Sequence, residues 1–166
     1  ALAYSVPAGR TMLRTPLLRE TLYFVAQPGS RFDVPGPIEF DLLSDAPFVM
    51  PGARDFIRQI VEATMRQQDR KIRVSYEVES MSAMKELIMC GMACGILPLN
   101  NVTRELKSGE LVARPVTNPP ISRILYSTRR ADRASKKAEM QVLATVHSLL
   151  SKISHGHPAL SPIIDE

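Results

Sequence analysis

Two cysteines and three histidines are the side chains here best suited to covalent or metal chemistry, and their spacing argues against both. Cys90 and Cys94 are separated by Gly91-Met92-Ala93, which matches neither a C-x-x-C redox pair nor half of a zinc site. Gly91 ends a helix between them, so they do not stack one turn apart. They read as two small buried side chains at a helix-to-strand turn, with a thiol-based redox switch as the competing reading. His147, His155 and His157 fall in the last helix or the tail, where none can be set against a nucleophile. His155-Gly156-His157 brings no further ligands for a metal. The glycine patterns that cradle nucleotides are absent, as are H-E-x-x-H and G-x-S-x-G. No catalytic residue, metal site or cofactor is therefore expected, and the chain is not expected to be an enzyme.

The remaining chemistry is that of backbone donors. Met50-Pro51-Gly52-Ala53 ends a short apolar strand and leads into a helix at Arg54. Glycine lets the chain turn there, and the first N–H groups of the helix face outward. Together with the helix dipole, that arrangement favours a small anion such as a carboxylate.

The elements that must position this loop are set by periodicity and turn residues. Leu2 to Ser5 is short and β-compatible, and Glu20 to Ala26 is rich in aromatic and β-branched residues, so both predict strands. A Pro- and Gly-rich stretch comes next, holding one helical turn at Ile38 to Leu43 and a strand at Phe48 to Met50. Phe56, Ile57, Ile60, Val61, Thr64 and Met65 make one stripe and predict a helix over Arg54 to Gln68. Lys71 to Val78 alternates, with Ile72, Val74, Tyr76 and Val78 on one side, and predicts a half-exposed strand. Ser80 or Ser82 caps a helix ending near Cys90 at Gly91. Its methionines, Met81, Met84, Met89 and the following Met92, read as core. Ile96-Leu97, Leu111-Val112 and Ile121 to Thr128 predict strands, and Val102 to Lys107 a helix stopped at Ser108-Gly109. Ser135 caps a long last helix whose stripe is Ala138, Val142, Leu143, Val146, Leu149, Leu150 and Ile153. Residues 154–166 have no period and read as a flexible tail.

Alternating strands and helices predict an α/β fold with a largely parallel sheet. The block 28–120 has strands and helices enough for its own sheet. The flanks, 1–27 and 121–153, lack one, and make sense only together as one lobe interrupted by the other. The chain has 166 residues, 45% apolar, and a net charge of +4. That charge is too slight to imply nucleic-acid binding by itself. The basic run from Arg123 to Lys137 reads as a solvated strand end and helix face. No run approaches the about 18 to 20 apolar residues of a membrane span, the first residues do not form a signal peptide, and two cysteines make no disulfide framework. A soluble, cytoplasmic protein is therefore expected. The missing initiator Met suggests part of a longer chain.

The ordered motifs resemble the effector-binding domain of LysR-type transcriptional regulators. They are Leu2-Ala3-Tyr4, the run from Pro16 to Val25, Pro47-Phe48-Val49-Met50-Pro51-Gly52 with Arg54, Glu77-Val78-Glu79-Ser80, Gly91-Met92 through Leu97-Pro98, Gly109-Glu110-Leu111-Val112, and Ile121 to Arg130 before a last helix. The likeness covers about residues 1–153, and the spacing around Glu79-Ser80 is similar to the nitrogen-assimilation type. One departure is Ala93, where the family has a second glycine after Gly91. The resemblance implies a periplasmic-binding-protein-like fold of two α/β lobes joined by two crossing strands, Glu20 to Ala26 and Ile121 to Thr128, with the first lobe incomplete in this chain. It also implies a small-molecule effector, an organic anion, held between the lobes, a homo-oligomer, and DNA contact only through an N-terminal domain this chain lacks. Met50, Pro51, Gly52, Ala53, Ser80 and Met81 are then the expected effector-binding residues, with Gly52 intolerant of substitution if its φ is positive or a ligand lies close. A solute-binding module of similar fold is the alternative.

Overall fold

The computed structural model describes residues 1–4, 11–132 and 137–163. The chain divides into two compact units, Thr21–Ile121 and Ala1–Glu20 with Ser122–Glu166.

In the unit Thr21–Ile121, adjacent residues of one strand enter different cores. Leu22, Phe24 and Ala26, at the end of strand β2 (Met12–Ala26), join one buried cluster, while Val25 joins another. Phe48 and Met50 are divided in the same way from Val49 in β4 (Pro47–Met50), as is Ile96 from Leu97 in β6 (Gly95–Pro98). This is a sheet with both faces covered, which is why its strands read as continuous apolar runs. Helix α1 (Phe56–Gln67) covers one face with Val61 and Met65, and α2 (Met81–Met89) covers the other with Met84 and Ile88.

Strand β4 runs parallel to β5 (Arg73–Glu77) and bridges in parallel to Cys94, just before β6. β2 lies antiparallel to both β6 and β7 (Val112–Thr117), and β3 (Ile38–Glu39) runs parallel to β7. In this unit only β2 opposes the common strand direction, but lying beside both β6 and β7 it makes both of those pairings antiparallel, so the sheet is mixed and not the largely parallel one expected. A 3-10 turn at Phe40–Asp45 and helix α3 (Thr103–Ser108) complete the unit.

Three details differ from the periodicity. The register of β4 with β5 shifts between Phe48 and Val49, which pair with Val74 and Tyr76. Ser75 is thus an extra residue, and a bulge of this kind re-aims the side chains beyond it. Ile72 and Val74 pack on the α1 side, Tyr76 and Val78 on the α2 side, so the four do not share one face. Met81, Met84 and Met89 are packed as core residues, but Met92, in the turn beyond the helix, is exposed. Cys94 is buried and Cys90 is exposed, because Cys90 is the C-cap of α2 and faces out of the turn.

In the other unit, β1 (Leu2–Tyr4) pairs antiparallel with β8 (Ser122–Arg130). Helix α4 (Lys137–Ser154) keeps Leu143, Val146 and Leu150 half-buried, while Met140, Val142, Leu149 and Ile153 are exposed. The expected Ser135 cap lies outside the described residues. Of the tail expected over residues 154–166, residues 164–166 lie outside the described residues, and residues 154–163 are not loose throughout. Leu160–Pro162 is a strand, β9, antiparallel to Leu18–Glu20, with Ala159 buried beside it. Three residues are too few to show a period, and their hydrogen bonds go to β2, more than 130 positions away, so nothing local announces them.

Candidate functional site

The C-terminal ends of the parallel strands β4 and β5 lie side by side, since Val78 N–H donates to the Met50 carbonyl at 3.1 Å. Each strand then turns into a helix, so the starts of α1 and α2 face the same edge of the unit. Open α/β sheets bind ligands outside the carboxyl ends of their strands, where such turns converge. The structure thereby brings the Met50–Ala53 turn next to the Glu79-Ser80-Met81 turn, two segments far apart in sequence.

Within the first turn Met50 is fully buried and belongs to the core beneath the site. Pro51 and Gly52 are half-buried and Ala53 is exposed. Gly52 is not in the left-handed region; the positive-φ glycines are others. What constrains it is proximity. Its N–H donates to Glu79 Oε1 at 3.1 Å, and a Cβ on Gly52 would stand 2.5 Å from that oxygen. The turn thus holds an anion already, supplied by the protein.

The donors of the α1 N-terminus are also engaged. Asp55 is the N-cap, its Oδ1 accepting from Ile57 N at 2.8 Å and Arg58 N at 3.2 Å, the usual use of an Asp at that position. Arg58 holds the loop from below, with Nη1 donating to the Pro51 carbonyl at 2.9 Å and to Glu77 Oε2 at 2.5 Å, and Nε to Glu62 Oε1 at 2.8 Å. Hydrogen bonds from Arg58 to Glu62 and then Glu77 raise its already high pKa, so it stays charged.

The second turn is less occupied. Ser80 caps α2 with a long contact, Ala83 N to Oγ at 3.4 Å, and its hydroxyl meets Ser82 Oγ at 2.9 Å. Both serines are exposed. Met81 is half-buried against the α2-side core, with Asn101 Nδ2 3.9 Å from its sulfur. Two hydroxyls, the Gly52 amide and the dipole of α2 are therefore the groups at this edge that can receive a carboxylate. Sequence reasoning placed Gly52 and Ser80 but missed Glu79, although it stands next to Ser80. Its role depends on a strand pairing that no local signal reports.

The cysteines do not form an activated pair. Burial pushes the Cys94 thiol up to about 11, against a smaller opposing influence of Arg31. A thiol that remains protonated at neutral pH is a poor nucleophile.

Residues 1–150 match the family model described as the LysR substrate binding domain, and the chain belongs to this family. The match is to the family; the nitrogen-assimilation type is not singled out by it. The chain is 25% identical over 114 residues to the HTH-type transcriptional regulator BbuR of Bordetella bronchiseptica, covering 69% of this chain and 35% of that protein. It thus spans about a third of that relative's length. Among solved structures it is similar to the CcmR regulatory domain of Synechocystis PCC6803 in complex with 2-PG, at TM-score 0.75, 21% identity, and coverage of 89% of this chain and 71% of that one. The effector-binding domain of QuiR in complex with shikimate is similar at TM-score 0.73, 14% identity, and coverage of 91% and 71%. At these identities the likeness establishes the fold, which is the mixed α/β, periplasmic-binding-protein-like one.

Proposed function

We propose that this chain is the effector-sensing portion of a LysR-type transcriptional regulator. On this reading it binds a small organic anion at the edge formed by Met50, Pro51, Gly52, Ala53, Ser80 and Met81. The observation that carries the anion is the Glu79 carboxylate on the Gly52 amide. An effector carboxylate takes that place, displaces Glu79, and gains the Ser80 and Ser82 hydroxyls at the start of α2. Met50 contributes by supporting the turn from the core, not by touching the ligand. Binding shifts the protein only as far as its affinities for two arrangements differ. The result is relayed through a homo-oligomer to DNA-binding domains outside this chain. The protein acts in the cytoplasm, needs no cofactor and catalyses no reaction. Among the described residues no helix is long and apolar enough to cross a membrane.

Two neighbours of the same fold are complexes with 2-PG and with shikimate, which supports a small-molecule effector over a macromolecular one. Thermal-shift measurements with a panel of small mono- and dicarboxylates test the site. An upward shift in the wild type that disappears in Gly52→Val is expected, since a side chain there fills the space beside the amide. Equal shifts in both proteins would remove this turn from the proposal.

A further inference from the structure

The chain passes between its two units twice, within β2 between Glu20 and Thr21 and at the start of β8 between Ile121 and Ser122. The two strands are hydrogen-bonded neighbours. Next to both passages, side chains tie them together on each face, because successive residues of a strand point to opposite sides. Arg19 Nη1 donates to Ser122 Oγ at 3.3 Å on the exposed face. On the other face Arg123 Nε donates to Glu20 Oε2 at 2.6 Å, with the two side chains only 16% and 5% exposed. Tyr4 of β1 completes the group. Its ring centroid lies 3.8 Å from the Arg123 guanidinium carbon.

A buried ion pair is a poor source of net stability, because desolvation of the charges offsets their attraction. Two apolar side chains of similar volume often hold a fold as well or better. What the apolar pair does not do is specify which residues must stand opposite each other. A charged pair does, since any slip leaves an uncompensated buried charge. Strand register is where such specification matters, as a slip of one residue reverses every side chain.

We infer that Glu20 and Arg123, with Tyr4 stacked on the guanidinium, form a clasp that fixes the register of the two linking strands where the chain passes between its units. It is a positioning device and not a ligand site. It stands independently of the proposed effector, so its test needs no ligand.

The test is hydrogen exchange, read by mass spectrometry on the whole chain, beside urea denaturation. Glu20→Gln strands the Arg123 charge and is expected to lower the urea midpoint. The double variant Glu20→Leu/Arg123→Met removes that charge as well, and its midpoint is expected to return close to wild type. In that same variant the amides of Leu18 to Leu22 and Ile121 to Ile124 should exchange about tenfold faster or more, while those of α1 and α2 keep their rates. Wild-type exchange along both strands in the double variant, or acceleration spread evenly over the chain, would overturn the clasp. Arg123→Lys keeps the charge but loses the planar group that stacks on Tyr4, and guards against a double variant that does not fold. The same local acceleration is expected from it, and unchanged exchange there would equally overturn the inference.

Discussion

Replacing Glu79 by Gln tests whether the β4–α1 turn seats an anion, because Glu79 now occupies the seat. Its Oε1 lies 3.1 Å from the Gly52 nitrogen, and Glu77 Oε1 is only 3.8 Å from where a Gly52 Cβ would be. A ligand carboxylate must displace the first charge and rest near both. The internal contact is solvent-exposed, so it competes weakly, lowering apparent affinity by about two- to fivefold. Repulsion between like charges at about 4 Å in water contributes a further factor of about five. Glu79→Gln weakens the competitor and removes one repulsion, so carboxylates should bind about tenfold more tightly at low salt. The gain should shrink toward the first factor once the screening length falls below about 8 Å. Calorimetric titration of both proteins with the carboxylate that gives the largest thermal shift, at low and at high salt, measures this. Unchanged or weaker binding to the Gln variant would refute the reasoning, since Glu79 would then not be in the ligand's way.

Native alkylation should modify Cys90 and spare Cys94, because only the former is exposed and the latter's thiol is pushed up to about 11; mild peroxide should leave Cys94 reduced, and mass analysis that finds a Cys90–Cys94 disulfide would revive a redox role. Lys85 Nζ lies 2.6 Å from Glu105 Oε1, and this hydrogen bond foremost holds the Glu105 carboxyl below the usual carboxylate value. A carboxyl depressed in the folded state stabilises at neutral pH, and that share is lost as pH falls through and below the ordinary Glu value of about 4.3. Urea midpoints of wild type and Lys85→Met should therefore differ at neutral pH and converge on acidification, and a gap independent of pH would count against the pair. Finally, Leu2, Met12, Val142, Leu143 and Val146 line an apolar groove of about 590 Å3 within one unit, and exposed Met140, Leu149 and Ile153 extend the apolar surface along α4. Such surface favours association, so light scattering should find a dimer or larger species, with α1 as a further contact. A particle near the 18.4 kDa monomer mass at every concentration would refute this.

Much of the fold was legible in the sequence because its signals are local. The stripe from Phe56 to Met65 marked α1, Ser80 marked the start of α2, and Gly91 and Gly109 marked helix ends, where the structure finds φ of +71° and +76°. Each of these depends on neighbours within about a turn of helix. The site was half legible for the same reason. Strand-to-helix turns at Gly52 and Ser80 can be read locally, and the order of motifs pointed to the family. The tertiary structure alone decided what depends on pairing between distant segments. It extended β2 back to Met12, although Arg14, Thr15 and Arg19 break any apolar run, and it laid β9 on Leu18–Glu20. It inserted Ser75 as a bulge, set Cys90 outside and Cys94 inside, and brought Glu79 to Gly52 and Arg123 to Glu20. Each outcome depends on register between strands far apart in the chain. Composition and periodicity constrain that register only to within a slip of one residue, and the slip decides which side chains meet.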